Sequence, residues 1–318
     1  MRVTVLLPRA FEKMYNERLR SSFDEEFETR PFFFDDLLDP DQISDLAAES
    51  DGIVVTLEPV TEALLERLPR LKVVANFGAG YDNVDLDAAR HRGIYVTNAP
   101  GANAPSVAEY ALAMLLAVAR DVPALDRRVR DGEWAPERPG IELSGKTLGI
   151  VGLGRIGKRL VELVSGIGME IIAYDAYPDA EFGRNWDIRF VSLEELAVHS
   201  DLISVHAPLT ESTRGLLGSA FFAALKPGSR MVNTSRGGVL DEPALITALQ
   251  SGRLAAVALD VAEVEPLPED NPLRSAPTAI VTSHIGGSTA EAIENIGAMV
   301  REDLHLVSAG KAPAHNVY

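Results

Sequence analysis

Three chemistries are suggested by polar residues that directly follow apolar, strand-like runs in the second half of the chain. Arg236 stands in Asn233-Thr234-Ser235-Arg236-Gly237-Gly238. Its planar fork suits a bidentate grip on a carboxylate, such as that of a 2-keto or 2-hydroxy acid. His284 stands in Thr282-Ser283-His284-Ile285-Gly286-Gly287. A histidine titrates near neutrality and can hand a proton to a carbonyl oxygen as it is reduced. The chain has six histidines, and only His206 and His284 fall at strand ends in this half. The third element is an acid in Asp260-Val261-Ala262-Glu263-Val264-Glu265-Pro266. A carboxylate beside a histidine orients the ring and favours its protonated form. Spacing alone leaves Glu263 and Glu265 equally eligible. No histidine or acid cluster has metal-ligand spacing, so no metal is expected.

These groups need a hydride source, and the stretch Lys146 to Asp175 supplies a place for one. Thr147 to Val151 reads as a buried strand, Gly152-Leu153-Gly154-Arg155-Ile156-Gly157 as a turn, and the residues after it as an amphipathic helix. A second apolar run ends at Asp175. This is the dinucleotide-binding fingerprint in its strand–turn–helix–strand context. Gly152 permits the turn, Gly154 lets backbone approach a pyrophosphate, and Gly157 lets helix and strand pack closely. The helix start offers free N–H groups to phosphate. Asp175 is placed for the ribose hydroxyls of NAD and would repel the 2′-phosphate of NADP.

The elements that must hold these residues form a regular alternation. After Asp175, strands are expected at 189–191, 202–205, 230–234, 255–259 and 279–282, with helices at 193–199, 219–225 and 242–251. This describes a doubly wound parallel sheet. Residues 1–98 read as a smaller α/β unit with strands at 2–7, 52–57 and 72–77, and helical stretches at 41–49, 61–68 and 85–91. Gly78-Ala79-Gly80 follows the third of these strands and suits a backbone anion nest. The acidic run Asp24, Glu25, Glu26 and Glu28 reads as a solvated face. Asn98-Ala99-Pro100-Gly101 is the expected crossover, followed by a helix at 105–120 and a helical stretch reaching about residue 132. Residues 133–144, with Trp134, Pro136 and Pro139, read as an extended connection. The final helix, 289–308, is long enough to return to the first unit. The expected domains are therefore 1–98 with 288–318, and 99–287 inserted between them.

Composition narrows the partners. A chain of 318 residues accommodates two domains. A net charge of −17 argues against nucleic acid and anionic membranes. The longest apolar run, Tyr110 to Ala119, is too short to span a bilayer. The N-terminal residues read as a strand and not as a signal peptide. With no cysteine there is no disulfide framework or thiol nucleophile, which fits a cytoplasmic protein.

Taken together, the chain resembles the D-isomer-specific 2-hydroxyacid dehydrogenase family along essentially its whole length. The resemblance is carried by Gly78-Ala79-Gly80-Tyr81-Asp82-Asn83-Val84-Asp85, the Lys146–Asp175 fingerprint, His206-Ala207-Pro208-Leu209-Thr210, Asn233–Gly238, Asp260 to Leu267 and Ser283–Gly286. It implies two parallel-sheet domains, a Rossmann-type NAD domain inserted into a discontinuous flavodoxin-like substrate domain. It implies a catalytic set of Arg236, Glu265 and His284, choosing Glu265 over Glu263. It implies that Arg155 and Ile156 line the pyrophosphate, with Gly152, Gly154 and Gly157 forming the turn. Asp175 would take the adenosine ribose, and His206, Ala207 and Pro208 would lie toward the adenosine half. Thr234, Ser235, Arg236, Asp260, His284 and Gly286 would lie toward the nicotinamide. The Gly78-Ala79-Gly80 loop, with Arg236, would hold the substrate carboxylate in an interdomain cleft. A homodimer formed through the NAD domain, with residues 100–140 contributing, is also implied.

The expected reaction interconverts a small 2-keto acid and its D-2-hydroxy acid with NAD(H), glyoxylate or hydroxypyruvate being favoured. Phosphoglycerate dehydrogenases resemble one another in an Arg-Ser pair after the second strand of the first domain and carry further C-terminal domains. Here Val55-Thr56-Leu57-Glu58 stands at that place and the chain reaches Tyr318, which disfavours D-3-phosphoglycerate as substrate. Glutamine would be expected at Glu265 in a formate dehydrogenase. A non-enzymatic NAD(H)-sensing corepressor and a phosphonate-oxidising enzyme share the same motifs and are the other readings.

Overall fold

The computed structural model describes residues 1–134 and 139–318. The chain folds as two compact units, Met1–Asn103 with Ser288–Tyr318, and Ala104–Gly287. Pro136, assigned above to the extended connection, lies outside the described residues.

The first unit is a five-stranded, all-parallel sheet of order β2-β1-β3-β4-β5. Its strands are β1 (Arg2–Pro8), β2 (Glu28–Phe34), β3 (Gly52–Val55), β4 (Val73–Asn76) and β5 (Tyr95–Thr97). This is the flavodoxin-like order. Side chains alternate across each strand, so Val54 and Ala75 join one core while Ile53, Val55 and Val74 join the other. The helix Ala290–Ser308, capped by Thr289, lays Ile293, Ile296, Val300 and Leu304 on the first of these faces. On the other, Ile43, Leu64, Leu65 and Ala88 come from the helices Pro40–Ala47, Glu62–Glu66 and Leu86–His91.

Two strands of this unit are not evident from the periodicity. β2 is an edge strand buried fully only at Phe34, so it lacks a continuous apolar run, and Pro31 interrupts it. Proline removes a ladder donor and is tolerated at such an edge. β5 is only three residues long and leaves no detectable period. The acidic run is exposed as expected, but Glu28 lies inside β2 and accepts from Arg2 Nε at 3.1 Å.

The second unit is a seven-stranded, all-parallel sheet of order β12-β11-β10-β9-β6-β7-β8. Its strands are β6 (Thr147–Val151), β7 (Glu170–Tyr174), β8 (Arg189–Phe190), β9 (Leu202–Val205), β10 (Ser229–Asn233), β11 (Leu254–Leu259) and β12 (Ala279–Val281). Both faces are covered, which is why these strands read as unbroken apolar runs. Leu148, Ile150, Leu202, Val232 and Ala258 pack with the helices Ala104–Arg120 and Arg155–Val164. Val151, Ile203, Met231, Val257 and Leu259 face the other way, onto the helices Leu193–His199, Ser219–Ala224 and Glu242–Gln250. A short helix, Ala180–Asn185, joins β7 to β8 and is not evident from the sequence pattern. Because all seven strands run the same way, every strand's carboxyl end lies on one edge.

Candidate active site

In the second unit the strand order reverses between β6 and β9, the switch point at which open α/β sheets take ligands. The turn after β6 meets the turn after β9 there. Gly152 has φ +93°, and a Cβ on it would lie 2.6 Å from Ala207 N and 2.8 Å from His206 C. A Cβ on Gly157 would lie 2.5 Å from Gly152 O, so the helix can start this close to the turn only as glycine. Gly154 behaves differently, since a Cβ there would meet no atom within 4 Å. It is the N-cap of Arg155–Val164 and offers no side chain to the helix's first amides. Those amides, beside an open backbone, fit a phosphate group.

Asp175 closes β7 beside this turn. Its Oδ2 accepts from Leu153 N at 2.7 Å and its Oδ1 from Tyr177 N at 2.8 Å, which fixes the carboxylate next to the glycines. Arg155 is exposed, and Ile156 packs at the margin of the helix-covered core. After β9, His206 Nε2 lies 2.8 Å from Ser204 Oγ and its Nδ1 3.3 Å from Thr234 Oγ1, one nitrogen donating and the other accepting. Burial pushes its pKa down to about 4, so the ring is neutral at pH 7. Ala207 is buried, and Pro208 O accepts from Thr213 Oγ1 at 2.6 Å.

The loop after β10 is organised by Asn233, a residue that sequence reasoning passed over. Its Oδ1 accepts from Ser235 N at 2.9 Å and Ser235 Oγ at 2.7 Å, while its Nδ2 donates to Arg236 O at 3.0 Å. Arg236 Nη1 donates to Ser235 O at 2.8 Å. Gly237 is forced by packing, because a Cβ on it would overlap the Ala262–Glu263 peptide. That close approach brings the β10 loop against the loop after β11.

Glu265 and His284 meet at this place. Glu265 Oε2 lies 2.9 Å from His284 Nδ1, and Glu265 Oε1 accepts from Ala262 N at 3.0 Å. A carboxylate can only accept, so Nδ1 carries the proton and Nε2 points elsewhere. Burial pushes Glu265 up, but His284, the Ala262 amide and the charge of Arg236 outweigh it and hold the carboxyl below its usual range. Glu263 is exposed. Thus the structure brings Arg236, Glu265 and His284 to neighbouring strand ends of one sheet.

His284 itself has φ +56°, a conformation that an L-residue adopts at a cost. Asp260 holds it there. This buried carboxylate accepts from Thr282 Oγ1 at 2.7 Å, Ile285 N at 3.0 Å and Gly286 N at 2.7 Å. His284 N in turn donates to Asp260 O at 2.8 Å. Tyr110 packs behind this loop, 3.1 Å from where a Cβ on Gly286 would lie, and burial together with the charge of Asp260 raises its hydroxyl pKa. Asp260 and Gly286 therefore brace the histidine loop, a role that no local pattern announces.

In the first unit, Gly78-Ala79-Gly80 leaves the carboxyl end of β4. Its carbonyls are tied back, Gly78 O by Ala99 N at 2.8 Å and Ala79 O by Asn98 Nδ2 at 2.6 Å. A Cβ on Gly78 would meet nothing within 4 Å, so the backbone here is open to approach. Among the described residues, no group of three or more metal-ligating side chains occurs, and no helix is long and apolar enough to cross a membrane.

A doubly wound sheet with a glycine turn at its switch point defines a dinucleotide-binding class of fold, and comparison with known proteins gives the family. Residues 112–286 match the family described as D-isomer specific 2-hydroxyacid dehydrogenase, NAD binding domain. The chain is 41% identical over 262 residues to a D-3-phosphoglycerate dehydrogenase of Archaeoglobus fulgidus, covering 82% of this chain and 50% of that one. It is 38% identical over 275 residues to a glyoxylate reductase of Korarchaeum cryptofilum, covering 85% and 83% of the two chains. The apo-structure of D-lactate dehydrogenase from Escherichia coli is similar with a TM-score of 0.88 at 30% identity, covering 100% of each. The chain belongs to the D-isomer-specific 2-hydroxyacid dehydrogenase family, and its second unit is an NAD-binding domain. It spans about half the length of the phosphoglycerate dehydrogenases it matches.

Proposed function

We propose that the protein interconverts a small 2-keto acid and its D-2-hydroxy acid with NAD(H), as a glyoxylate- or hydroxypyruvate-type reductase. The observation that carries this reading is the 2.9 Å contact between His284 Nδ1 and Glu265 Oε2 on the edge that also presents Arg236. When bound, NADH supplies hydride to the keto carbon. His284, its Nδ1 proton held by Glu265, delivers a proton from Nε2 to the carbonyl oxygen and takes it back in the oxidative direction. Arg236 pairs with the substrate carboxylate. In the second unit, the amides at Gly154–Ile156 hold the pyrophosphate and Asp175 the adenosine ribose, which favours NAD over NADP. His206, Ala207 and Pro208 line the adenosine side; Thr234, Ser235, Asp260 and Gly286 lie toward the nicotinamide. For the first unit, we infer that Gly78-Ala79-Gly80 offers backbone amides to a carboxylate. The test is NADH oxidation against a panel of 2-keto acids. Tight NADH binding without turnover of any of them would favour a sensor instead.

A second reading is D-3-phosphoglycerate dehydrogenase, favoured by the 41% identity to the Archaeoglobus protein. We also infer a homodimer formed through the second unit. Leu116, Val122 and Val129 on the helices Ala104–Arg120 and Val122–Arg130 are 45%, 55% and 49% exposed, an apolar surface suited to burial. Light scattering on the Leu116→Glu/Val129→Glu variant, expected to be monomeric, checks it.

A further inference from the structure

Asn98 directly follows β5, and its side chain reaches back across 19 residues of sequence to the loop after β4. Its Nδ2 donates to Ala79 O at 2.6 Å. The next backbone amide, Ala99 N, donates to Gly78 O at 2.8 Å. A peptide oxygen can only accept, so the amide nitrogen of Asn98 is the atom that must face Ala79. Two successive carbonyls of the loop are thus drawn to one side, toward the end of β5.

The planar trans peptide makes this a constraint on the amides as well. Within each peptide unit the N–H points opposite to the C=O. With Gly78 O on Ala99 N and Ala79 O on Asn98 Nδ2, the N–H groups of Ala79 and Gly80 are presented on the side away from Asn98. Neither amide donates to another group among the described residues. Two adjacent amides left open in this way suit an anion such as a carboxylate. Without Nδ2 the Ala79–Gly80 peptide is free to rotate, and a rotated peptide offers its oxygen where the amide stood.

Asn98 is itself held in place. Its N donates to His315 O at 3.4 Å, Val317 N donates to Val96 O at 3.0 Å, and Thr97 bridges antiparallel to Asn316. The strip 315–317 therefore lies along β5. Asp303, fully buried on the helix Ala290–Ser308, pins that strip. Its Oδ1 accepts from Ala314 N at 2.8 Å and His315 N at 3.1 Å, and its Oδ2 lies 3.1 Å from His315 Nδ1. The backbone that carries the Asn98 donor is thereby fixed from the sheet and from the strip together.

We propose that Asn98 is a positioning residue for the substrate: by holding Ala79 O it keeps the Gly80 amide, beside the Ala79 amide, turned toward the carboxylate of a 2-keto acid. It acts through the loop and not on the reacting carbonyl. The inference deepens the reading of Gly78-Ala79-Gly80 as the seat of the substrate carboxylate and rests on it.

The test measures KM and kcat for glyoxylate and hydroxypyruvate, with NADH affinity read by fluorescence, in the wild type, Asn98→Ala, Asn98→Asp and Gly80→Pro. Gly80→Pro deletes the Gly80 donor outright and should raise KM. Asn98→Ala should raise KM by roughly tenfold, the worth of one hydrogen bond to a charged group. Its kcat should stay within about threefold of wild type and its NADH affinity should be kept, the pattern of lost uniform binding. Asn98→Asp keeps the side chain's shape but sets an acceptor against Ala79 O and a negative charge behind the loop. Its KM should rise at least as far, which tests the proposal even where the alanine variant does not fold. A wild-type KM in folded Asn98 variants, with KM raised in Gly80→Pro, overturns the proposal and leaves the loop reading standing. A loss confined to kcat or to NADH affinity in the Asn98 variants overturns it too. A wild-type KM in folded Gly80→Pro removes the loop reading and this inference with it. Wild-type protein that binds NADH yet reduces neither acid removes the proposed function as well.

Discussion

His284 Nδ1 and Glu265 Oε2 lie 2.9 Å apart, although 19 residues of chain separate them. The carboxylate fixes the ring's tautomer and leaves Nε2 as the nitrogen that can meet a substrate oxygen. It also stabilises the protonated ring through charge. Glu265→Gln removes the charge and keeps the shape. In that variant kcat for keto-acid reduction should fall, because the ring loses the acceptor charge that holds its Nδ1 proton, while NADH affinity is kept. His284→Ala should lose roughly 10²–10⁴-fold in kcat, the contribution of a general acid. Steady-state pH profiles, with NADH affinity measured separately by fluorescence, check both. Retained turnover in His284→Ala would sink the assignment.

Asp260 is expected to matter for stability as well as for rate. Its buried carboxylate accepts from Thr282, Ile285 and Gly286 and so pays for the left-handed backbone at His284. Asp260→Ala orphans three donors. Hydrogen bonds to a charged group are worth about 1.5–3 kcal/mol each before relaxation, so a net loss of roughly 2–4 kcal/mol is expected. Urea denaturation reads the loss, and a stability unchanged from wild type would refute the bracing role.

Gly152→Ala should disrupt the dinucleotide turn. The residue has φ +93°, and the added methyl would press on backbone atoms of His206 and Ala207 that cannot rotate away. A loss of about 1–3 kcal/mol in stability from overpacking, with weakened NADH binding, is the expected outcome. Thermal unfolding with and without NADH distinguishes the two effects.

Asp175→Ser should relax the cofactor preference. Without the carboxylate, the repulsion of a 2′-phosphate disappears, as do the bonds to Leu153 N and Tyr177 N. NADH affinity should fall by about tenfold, equivalent to roughly 1.4 kcal/mol, and NADPH binding should rise. Paired titrations with the two cofactors give the ratio; no shift toward NADPH would count against Asp175 as the ribose residue.

His206 predicts a pH dependence of stability. Burial lowers its folded-state pKa to about 4 from the ordinary 6.5 of a free imidazole. Between these values the unfolded chain binds a proton that the native chain does not. The contribution is therefore complete above the unfolded pKa and is lost as pH falls through the window toward the folded value. Its slope is at most about 1.4 kcal/mol per pH unit. Unfolding free energies for wild type and His206→Gln, compared at about pH 7 and about pH 5, should show the smaller drop in the variant.

Much of this molecule is local, and local features were legible. The glycine turn at Gly152–Gly157 announces itself because the backbone there must turn tightly, and the buried strands of the second sheet read as apolar runs because both faces are covered. β2 and β5 escaped notice for an equally physical reason: an edge strand with an interrupting proline and a three-residue strand carry too little burial to impose a period. Family membership follows from the order of several separated motifs.

Spacing does not choose which acid meets the histidine; the family resemblance names Glu265, and the tertiary structure supplies the physical reason. Glu263 and Glu265 are indistinguishable by spacing, but Gly237 packs so closely on the Ala262–Glu263 peptide that the loop turns Glu265 inward to His284 and leaves Glu263 in solvent. The tertiary structure decided that Asp260 braces the His284 loop and that Glu58, an acid on a strand-end loop in the sequence, is buried within its own turn. Residue type and spacing determine which chemistry the chain possesses. Which side chains touch is set by packing between strand ends distant in sequence, where burial and hydrogen bonding select one arrangement.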